Sequence, residues 1–289
     1  MAVSSMAITC DASSFAHLWG PDLPLTFIHV TDSHLGPTPD SLSCYYNPAA
    51  ALSATIKDLA QHASEAAFLI HTGDLARNSR TPEGYECAKL VYGLQGQASA
   101  PGPLTMTAAG LRLPWYYVPG NADHRTECLS RLFQEGGSER FNYTWHQDGV
   151  RFLTLDWGVW RTDEYTLVPE VFDWLSRQLQ VRVPTVIFTH HPPVHVGIEF
   201  FDRMTPTDLP RLQDLIEQSS VIAVFHGHTH HAWEQQIGGI PVFGTGSITF
   251  RHSLSQPDHR EIAPPQYRLV SVHDDGTVDA PVHDVPGRP

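Results

Sequence analysis

At 289 residues and 32.1 kDa, with 41% hydrophobic residues, the chain is long enough to bury a substantial core, as one large domain or two small ones. A net charge of −13 with histidine neutral excludes a partner held mainly through a basic face, such as bulk duplex DNA or an anionic membrane. A small phosphorylated substrate stays open, because bound cations reverse a local field.

Residues 1–22 read as a weakly patterned N-terminal extension, with no positive segment leading into an apolar one. No stretch reaches the ~20 apolar residues of a spanning helix. Cys10, Cys44, Cys87 and Cys128 are widely spaced and form no C-x-x-C pair, as unpaired thiols in a reducing compartment would. The expectation is a soluble cytoplasmic protein.

The run from Leu25 to Thr31 predicts a strand that ends in Asp32-Ser33-His34. Asn47-Pro48 opens a helix, with Asn as N-cap, Pro at the first helical position, and Ala51, Leu52, Thr55, Ile56 and Leu59 on the apolar face. A strand over 66–71 ends in Thr72-Gly73-Asp74, and Thr81-Pro82 opens a helix through about Leu94. Residues 93–114, rich in Gly, Pro and Ala, read as a surface loop. A strand over 115–118 ends in Pro119-Gly120-Asn121-Ala122-Asp123-His124, and a helix follows over 125–134. A strand over 150–155 and a helix over 170–181 come next. A strand over 185–188 then enters Thr189-His190-His191-Pro192-Pro193, and a helix carries Leu209, Leu212, Leu215 and Ile216. The apolar run Val221 to Phe225 leads into His226-Gly227-His228-Thr229-His230-His231. Residues 247–289 form a strand-rich tail, with a hairpin signal at Asp275-Gly276 before a strand over 277–282. Strands alternating with helices, then a strand-rich end, predict an α/β fold with more than one sheet layer and no internal repeat.

Five strand ends carry metal-ligand residue types: Asp32 and His34, Asp74, Asn121, His190, and His228 with His230. In α/β folds ligands gather at the carboxyl ends of strands. Taken singly, each Asp reads equally as a turn or N-cap residue and each His as a satisfied core group. Five such ends in one chain argue for one site.

The series D-x-H, G-D, G-N, H-x-P and G-H-x-H, in this order over about Phe27 to Gly246, resembles the calcineurin-like metallophosphoesterase superfamily. The G-N-x-D and H-H-P-P forms, and Leu155-Asp156 followed by a Trp174-Leu175 helix, are most similar to bacterial class III cyclic nucleotide phosphodiesterases and glycerophosphodiesterases. The resemblance implies a single domain over 1–289, a four-layer α-β-β-α sandwich of two mixed sheets flanked by helices. It implies that Asp32, His34 and His230 hold one metal, that Asn121, His190 and His228 hold the other, and that Asp74 bridges both. Mixed N/O ligation without cysteine suits Mn, Fe or Zn. In that chemistry two cations ~3.5–4 Å apart lower the pKa of a water, and the resulting hydroxide attacks phosphorus. The implied substrate is a small phosphodiester of the cyclic nucleotide or glycerophosphodiester type. The alternatives on the same site are a phosphomonoesterase and a nucleotide or phosphonate-ester hydrolase. A scaffold that has lost its ligands and a DNA nuclease fit the filled ligand positions and the acidic charge less well. Self-association stays open, with the 93–114 loop and the C-terminal strands as candidate surfaces.

One position departs from the branch pattern. Relatives carry His after the motif Asn, credited with substrate binding or leaving-group protonation, whereas this chain has Ala122. His124 is the candidate substitute; the alternatives are that it is a solvent-facing residue at a helix start and that the site favours substrates with good leaving groups. His191 is expected beside the centre, in a supporting or catalytic role. His226 and His231 flank the motif without matching a ligand. His29, His71, His195 and His252 each read as packing or surface residues, with His195 and His252 the better candidates for substrate neighbours.

Overall fold

The computed structural model describes residues 24–43, 46–63, 65–78, 82–96, 102–123, 125–133, 141–157, 167–206 and 208–287. The N-terminal extension, Cys10, Cys44 and His124 lie outside these residues. In chain order the elements are β1 (Leu25–Val30), α1 (Pro48–His62), β2 (Leu69–His71), α2 (Glu83–Tyr92), β3 (Leu104–Met106), β4 (Leu113–Tyr117) and α3 (Arg125–Leu132). Then come β5 (Tyr143–Gln147), β6 (Val150–Leu155), α4 (Pro169–Leu179), β7 (Thr185–Thr189), α5 (Glu199–Asp202), α6 (Leu209–Glu217) and β8 (Val221–His226). The chain closes with β9 (Trp233–Ile237), β10 (Ile240–Gly244), β11 (Phe250–His252), β12 (Arg260–Ile262), β13 (Gln266–Val272), β14 (Val278–Asp279) and β15 (Val282–Asp284).

One sheet runs β14-β13-β1-β2-β4-β3, with β15 also on β13, and the other runs β5-β6-β7-β8-β10-β9. Each has a parallel centre, β1-β2-β4 and β6-β7-β8-β10, with antiparallel edges. Parallel strands are buried on both faces, and alternation sends successive side chains to different cores. On β1, Phe27 points between the sheets, its ring 4.9 Å from Phe68 and 5.4 Å from both Phe188 and Phe225. Ile28 and Val30 join the opposite core, with Leu52 and Ile56 of α1 and Tyr85 of α2. On the second sheet, Phe188 faces inward while Ile187 packs with Leu175 of α4 and Leu212 of α6. Helix, sheet, sheet, helix is the expected four-layer order. Asn47 caps α1 as expected, its Oδ1 accepting from the Ala50 N–H at 2.9 Å. No helix among the described residues is long and apolar enough to cross a membrane.

Several elements differ from expectation. The 93–114 segment is not all loop: Leu104 and Met106 are buried in β3, which pairs with β4. Three residues between Gly/Pro-rich flanks give too short an alternation to stand out. β4 begins at Leu113, so Pro114 lies inside it, exposed and paired with Thr105 of β3, beyond the residues that pair with β2. β2 begins three residues later than predicted, at Leu69. β5 escapes the sequence pattern because it is a half-buried edge strand, turned onto β6 by Asp148 and Gly149 at φ 47° and 80°. The strand expected over 277–282 is two, β14 and β15, interrupted at Ala280-Pro281. The helix expected through Gln134 is described to Leu132, and Gln134 lies outside the described residues. Cys87 and Cys128 are buried free thiols.

Candidate metal centre

All seven predicted ligands lie past the carboxyl ends of parallel strands: β1, β2 and β4 in one sheet, β7 and β8 in the other. Asp32, His34, Asp74, His228 and His230 have φ of 56°, 44°, 54°, 69° and 59°. Left-handed backbone is uncommon outside glycine, though Asp, Asn and His tolerate it best, and it gathers where function over-determines the geometry. The turns also pack too closely for side chains at two glycines. A Cβ on Gly73 would come within 2.6 Å of His190 Nδ1, and one on Gly120 would collide with Asp74 Oδ1.

The ligands form two clusters. In the first, Asp32 Oδ1 is 3.3 Å from His230 Nε2 and 3.8 Å from His34 Nε2, and the two imidazole nitrogens are 3.1 Å apart. In the second, Asn121 Oδ1 is 3.0 Å from His190 Nε2 and 2.9 Å from His228 Nδ1. Asp74 stands between them, with Oδ2 3.7 Å from His34 Nε2 and Oδ1 3.5 Å from His190 Nε2.

Proton bookkeeping shows that these groups fit metal ions. His190 Nδ1 donates to the Thr72 carbonyl at 2.7 Å, and His230 Nδ1 donates to the Phe250 carbonyl at 2.7 Å. In a neutral imidazole this leaves a lone pair on Nε2. The His190 lone pair then faces the amide oxygen of Asn121, and that of His230 faces Asp32 Oδ1, which has no hydrogen-bond partner among the described residues. Acceptors turned toward one another repel unless a cation lies between them. The electrostatics agree. Burial, then the neighbouring His230, holds His34 well below its ordinary pKa, in the neutral form that binds metal. Burial, then His191 and His190, does the same for His228. Burial, then the charges of Asp32 and Asp123, pushes Asp74 well above the carboxylate range, and bound cations would relieve that crowding.

The supporting hydrogen bonds cross between the sheets. The His228 N–H donates to Asp32 Oδ2 at 3.0 Å, and Thr31 Oγ1 donates to the same oxygen at 2.8 Å. Ser247 and Thr249 hydroxyls donate to the Asp32 carbonyl at 2.9 and 3.0 Å. The Ala122 N–H donates to Asp74 Oδ1 at 2.7 Å. Asp123 is the supporting residue that sequence reasoning passed over. Its buried carboxylate accepts from the N–H groups of Leu75, Ala76 and Gly120 and from the Tyr85 hydroxyl, tying the Asp74 loop to the Asn121 loop. Its place as the final residue of G-N-x-D was the available signal.

The remaining histidines separate by position. His191 is buried, stacked 5.2 Å from Trp157 and 4.5 Å from His228, behind the centre. His226, fully buried, is brought down to about pKa 4 chiefly by burial. His29 bridges Thr72 and Thr245 hydroxyls at 2.8 and 2.6 Å. His231 turns to the His252 carbonyl, and His195 meets Thr205. Of the two candidate substrate neighbours, His252 lines the open cleft and His195 does not. That cleft, of about 220 Å³, has His34, Asp74, Asn121, His228 and His230 at its base. Phe200, Phe201, Met204, Phe250, Arg77 and Arg260 are among its other lining residues.

Known proteins share the family and the fold. The calcineurin-like phosphoesterase family profile matches residues 25–232. A 3',5'-cyclic-nucleotide phosphodiesterase of Nostoc sp. is 25% identical over 270 residues, covering 91% of this chain and 94% of its own. A glycerophosphodiester phosphodiesterase of Enterobacter lignolyticus is 26% identical over 211 residues, covering 70% of each chain. The fold is similar to that of a dimetal phosphatase from Danio rerio, with a TM-score of 0.58 at 13% identity over 91% of this chain and 100% of that one. The ligand-bearing turns fall inside the matched span, and the chain belongs to the calcineurin-like phosphoesterase family.

Proposed function

We propose that the protein is a dinuclear-metal phosphodiesterase that hydrolyses a small phosphodiester of the cyclic nucleotide or glycerophosphodiester type. The observation that carries this reading is the pair of donor clusters with one oxygen of Asp74 toward each. In it, Asp32, His34 and His230 hold one ion, Asn121, His190 and His228 the other, and Asp74 bridges. Mn, Fe and Zn are the ions that suit these donors. Bound there, they supply Lewis-acid stabilisation of the phosphoryl oxygens and lower the pKa of a water. The chain contributes orientation. Thr72 and Phe250 carbonyls fix the tautomers of His190 and His230, and the Ala122 N–H steadies Asp74. His191, packed between Trp157 and His228, has a positioning role for the His228 ring. The names of the Nostoc and Enterobacter relatives support a diester substrate.

Reconstitution with Mn²⁺ tests the reading. About two ions per chain are expected by elemental analysis, with bis(p-nitrophenyl) phosphate hydrolysed in preference to p-nitrophenyl phosphate. Asp74→Ala is expected to lose both ions and the activity. Full dinuclear occupancy in that variant would remove the bridge, and a preference for the monoester would replace the substrate class.

A further inference from the structure

Resting on the phosphodiester reading above, we propose that one ester arm of the substrate ends in a flat aromatic ring, and that Phe200 and Met204 receive it. The segment between β7 and α6 supplies three side chains to the cleft, Phe200, Phe201 and Met204, and all three are apolar. They lead outward from the ligands. The Phe201 ring is buried, 6.1 Å from the ring of His228, and Phe200 packs edge-on to it at 5.2 Å. Phe200 lies in α5 and Met204 two residues past its end, the spacing of neighbours on one helical face. The Met204 N–H donates to the Phe201 carbonyl at 2.9 Å and continues the turn. Both side chains are partly exposed. The rings continue into β11, where His252 lies 5.9 Å from Phe200, 5.6 Å from Phe201 and 5.3 Å from Phe250.

This wall is held in place. Both Asp202 carboxylate oxygens accept backbone N–H groups, from Val196 at 2.7 Å and Gly197 at 3.0 Å, which ties the loop before α5 to the helix. The Arg203 guanidinium covers a face of Phe200, 4.9 Å from its centroid. Phe200 is therefore a fixed ring at the mouth of the cleft, next to the donors that would hold the phosphoryl group.

Such a wall selects an arm by what it withholds. The hydroxyls of a polyol arm give up water on entry, and each then needs a partner. The segment that carries α5 brings no polar side chain to the cleft. His252 already directs Nδ1 to the Pro257 carbonyl at 2.6 Å. A flat ring gives up little hydration and gains contact with ring faces and edges, and the unbranched thioether of Met204 adapts to its outline. Of the two substrate types in the reading, the wall favours the one that bears a ring over the one that bears glycerol.

Four methyl phosphodiesters that differ in the second arm test this: benzyl, cyclohexylmethyl, ethyl and 2,3-dihydroxypropyl. Their poor leaving groups keep turnover slow, so calorimetry on the Mn²⁺-loaded full chain reads binding directly. Kd for the benzyl ester is expected to be roughly 10-fold below that of the dihydroxypropyl ester and about 3-fold below that of the cyclohexylmethyl ester. Phe200→Ala and Met204→Ala are each expected to reduce the preference for benzyl over dihydroxypropyl by about 3–10-fold. Phe200→Leu, which stays apolar, is expected to lose the preference for benzyl over cyclohexylmethyl, and Phe200→Tyr to keep it. Equal binding of the benzyl and dihydroxypropyl esters, equal binding of the benzyl and cyclohexylmethyl esters, or preferences that survive both alanine substitutions overturn the proposal. Where an alanine variant weakens all four esters alike through damage to the fold, the Leu and Tyr variants decide. Failure to hydrolyse bis(p-nitrophenyl) phosphate would count against the phosphodiesterase reading, while the binding ratios would still decide the arm.

Discussion

Asp123 shows how a residue without a place in the ligand set governs that set. Its carboxylate is fully buried and accepts four hydrogen bonds, three from backbone N–H groups on the two loops that deliver Asp74 and Asn121. Asparagine at this position would place an NH₂ group where two of those donors point, whichever way the amide is turned. Partners of this kind typically set metal affinity by 10–100-fold. Asp123→Asn is expected to weaken Mn²⁺ binding by about that factor and stability by about 1–3 kcal/mol. Titration calorimetry and urea unfolding measure the two effects, and an unchanged affinity would reduce Asp123 to a packing role. The seven ligand candidates were legible in the sequence because each stands in a short motif at a strand end. Asp123 was not, because its partners at positions 75, 76, 85 and 120 are brought to it by the pairing of β2 with β4 and the docking of α2.

At the scale of the element, the loop after β4 carries alanine where the resemblance read from the sequence implies a histidine. It presents Asn121 and then Ala122, which lines the cleft with a methyl group where a histidine would reach the substrate. A positioned general acid is typically worth about 10²–10⁴-fold on a poor leaving group. Ala122→His is therefore expected to raise turnover of diesters with alkyl leaving groups, with little change on p-nitrophenyl esters, whose leaving group needs no proton. His124→Ala is expected to be nearly silent on both. A large selective loss on alkyl esters in His124→Ala would identify it as the acid instead. Elements were legible in proportion to their length and burial. β1, β7 and β8 are apolar runs of five or six residues and stand out. β3, β11 and β12 have three residues each, and only their neighbours make them strands.

At the scale of the whole molecule, folding places histidines where a proton is unwelcome. His71 is fully buried, its Nδ1 accepting from the Gly73 N–H at 3.2 Å while Nε2 meets Ser33 Oγ at 2.8 Å. Burial, chiefly, brings its pKa down to about 3. The unfolded chain therefore takes up this proton near the ordinary value, well before the folded chain does. The stability contribution is complete above about pH 6.5 and drains away as pH falls toward 3, by about 1.4 kcal/mol per pH unit. Urea midpoints of metal-free protein are expected to fall between pH 7 and 5, and His71→Asn should flatten that slope; an equal slope in the variant would assign the acid limb elsewhere. The topology has a consequence in time as well. β1 carries the chain into the centre, yet its other neighbour in the sheet is β13, and the hydroxyls that hold the Asp32 carbonyl are at Ser247 and Thr249. During synthesis Asp32 leaves the ribosome more than two hundred residues ahead of these partners. On the proposed reading, capture of ions is expected to be a closing event, after translation has passed β13. A chain ending just short of that strand would carry all seven donors and is expected to hold no metal, and two Mn²⁺ per chain by elemental analysis of such a chain would refute this.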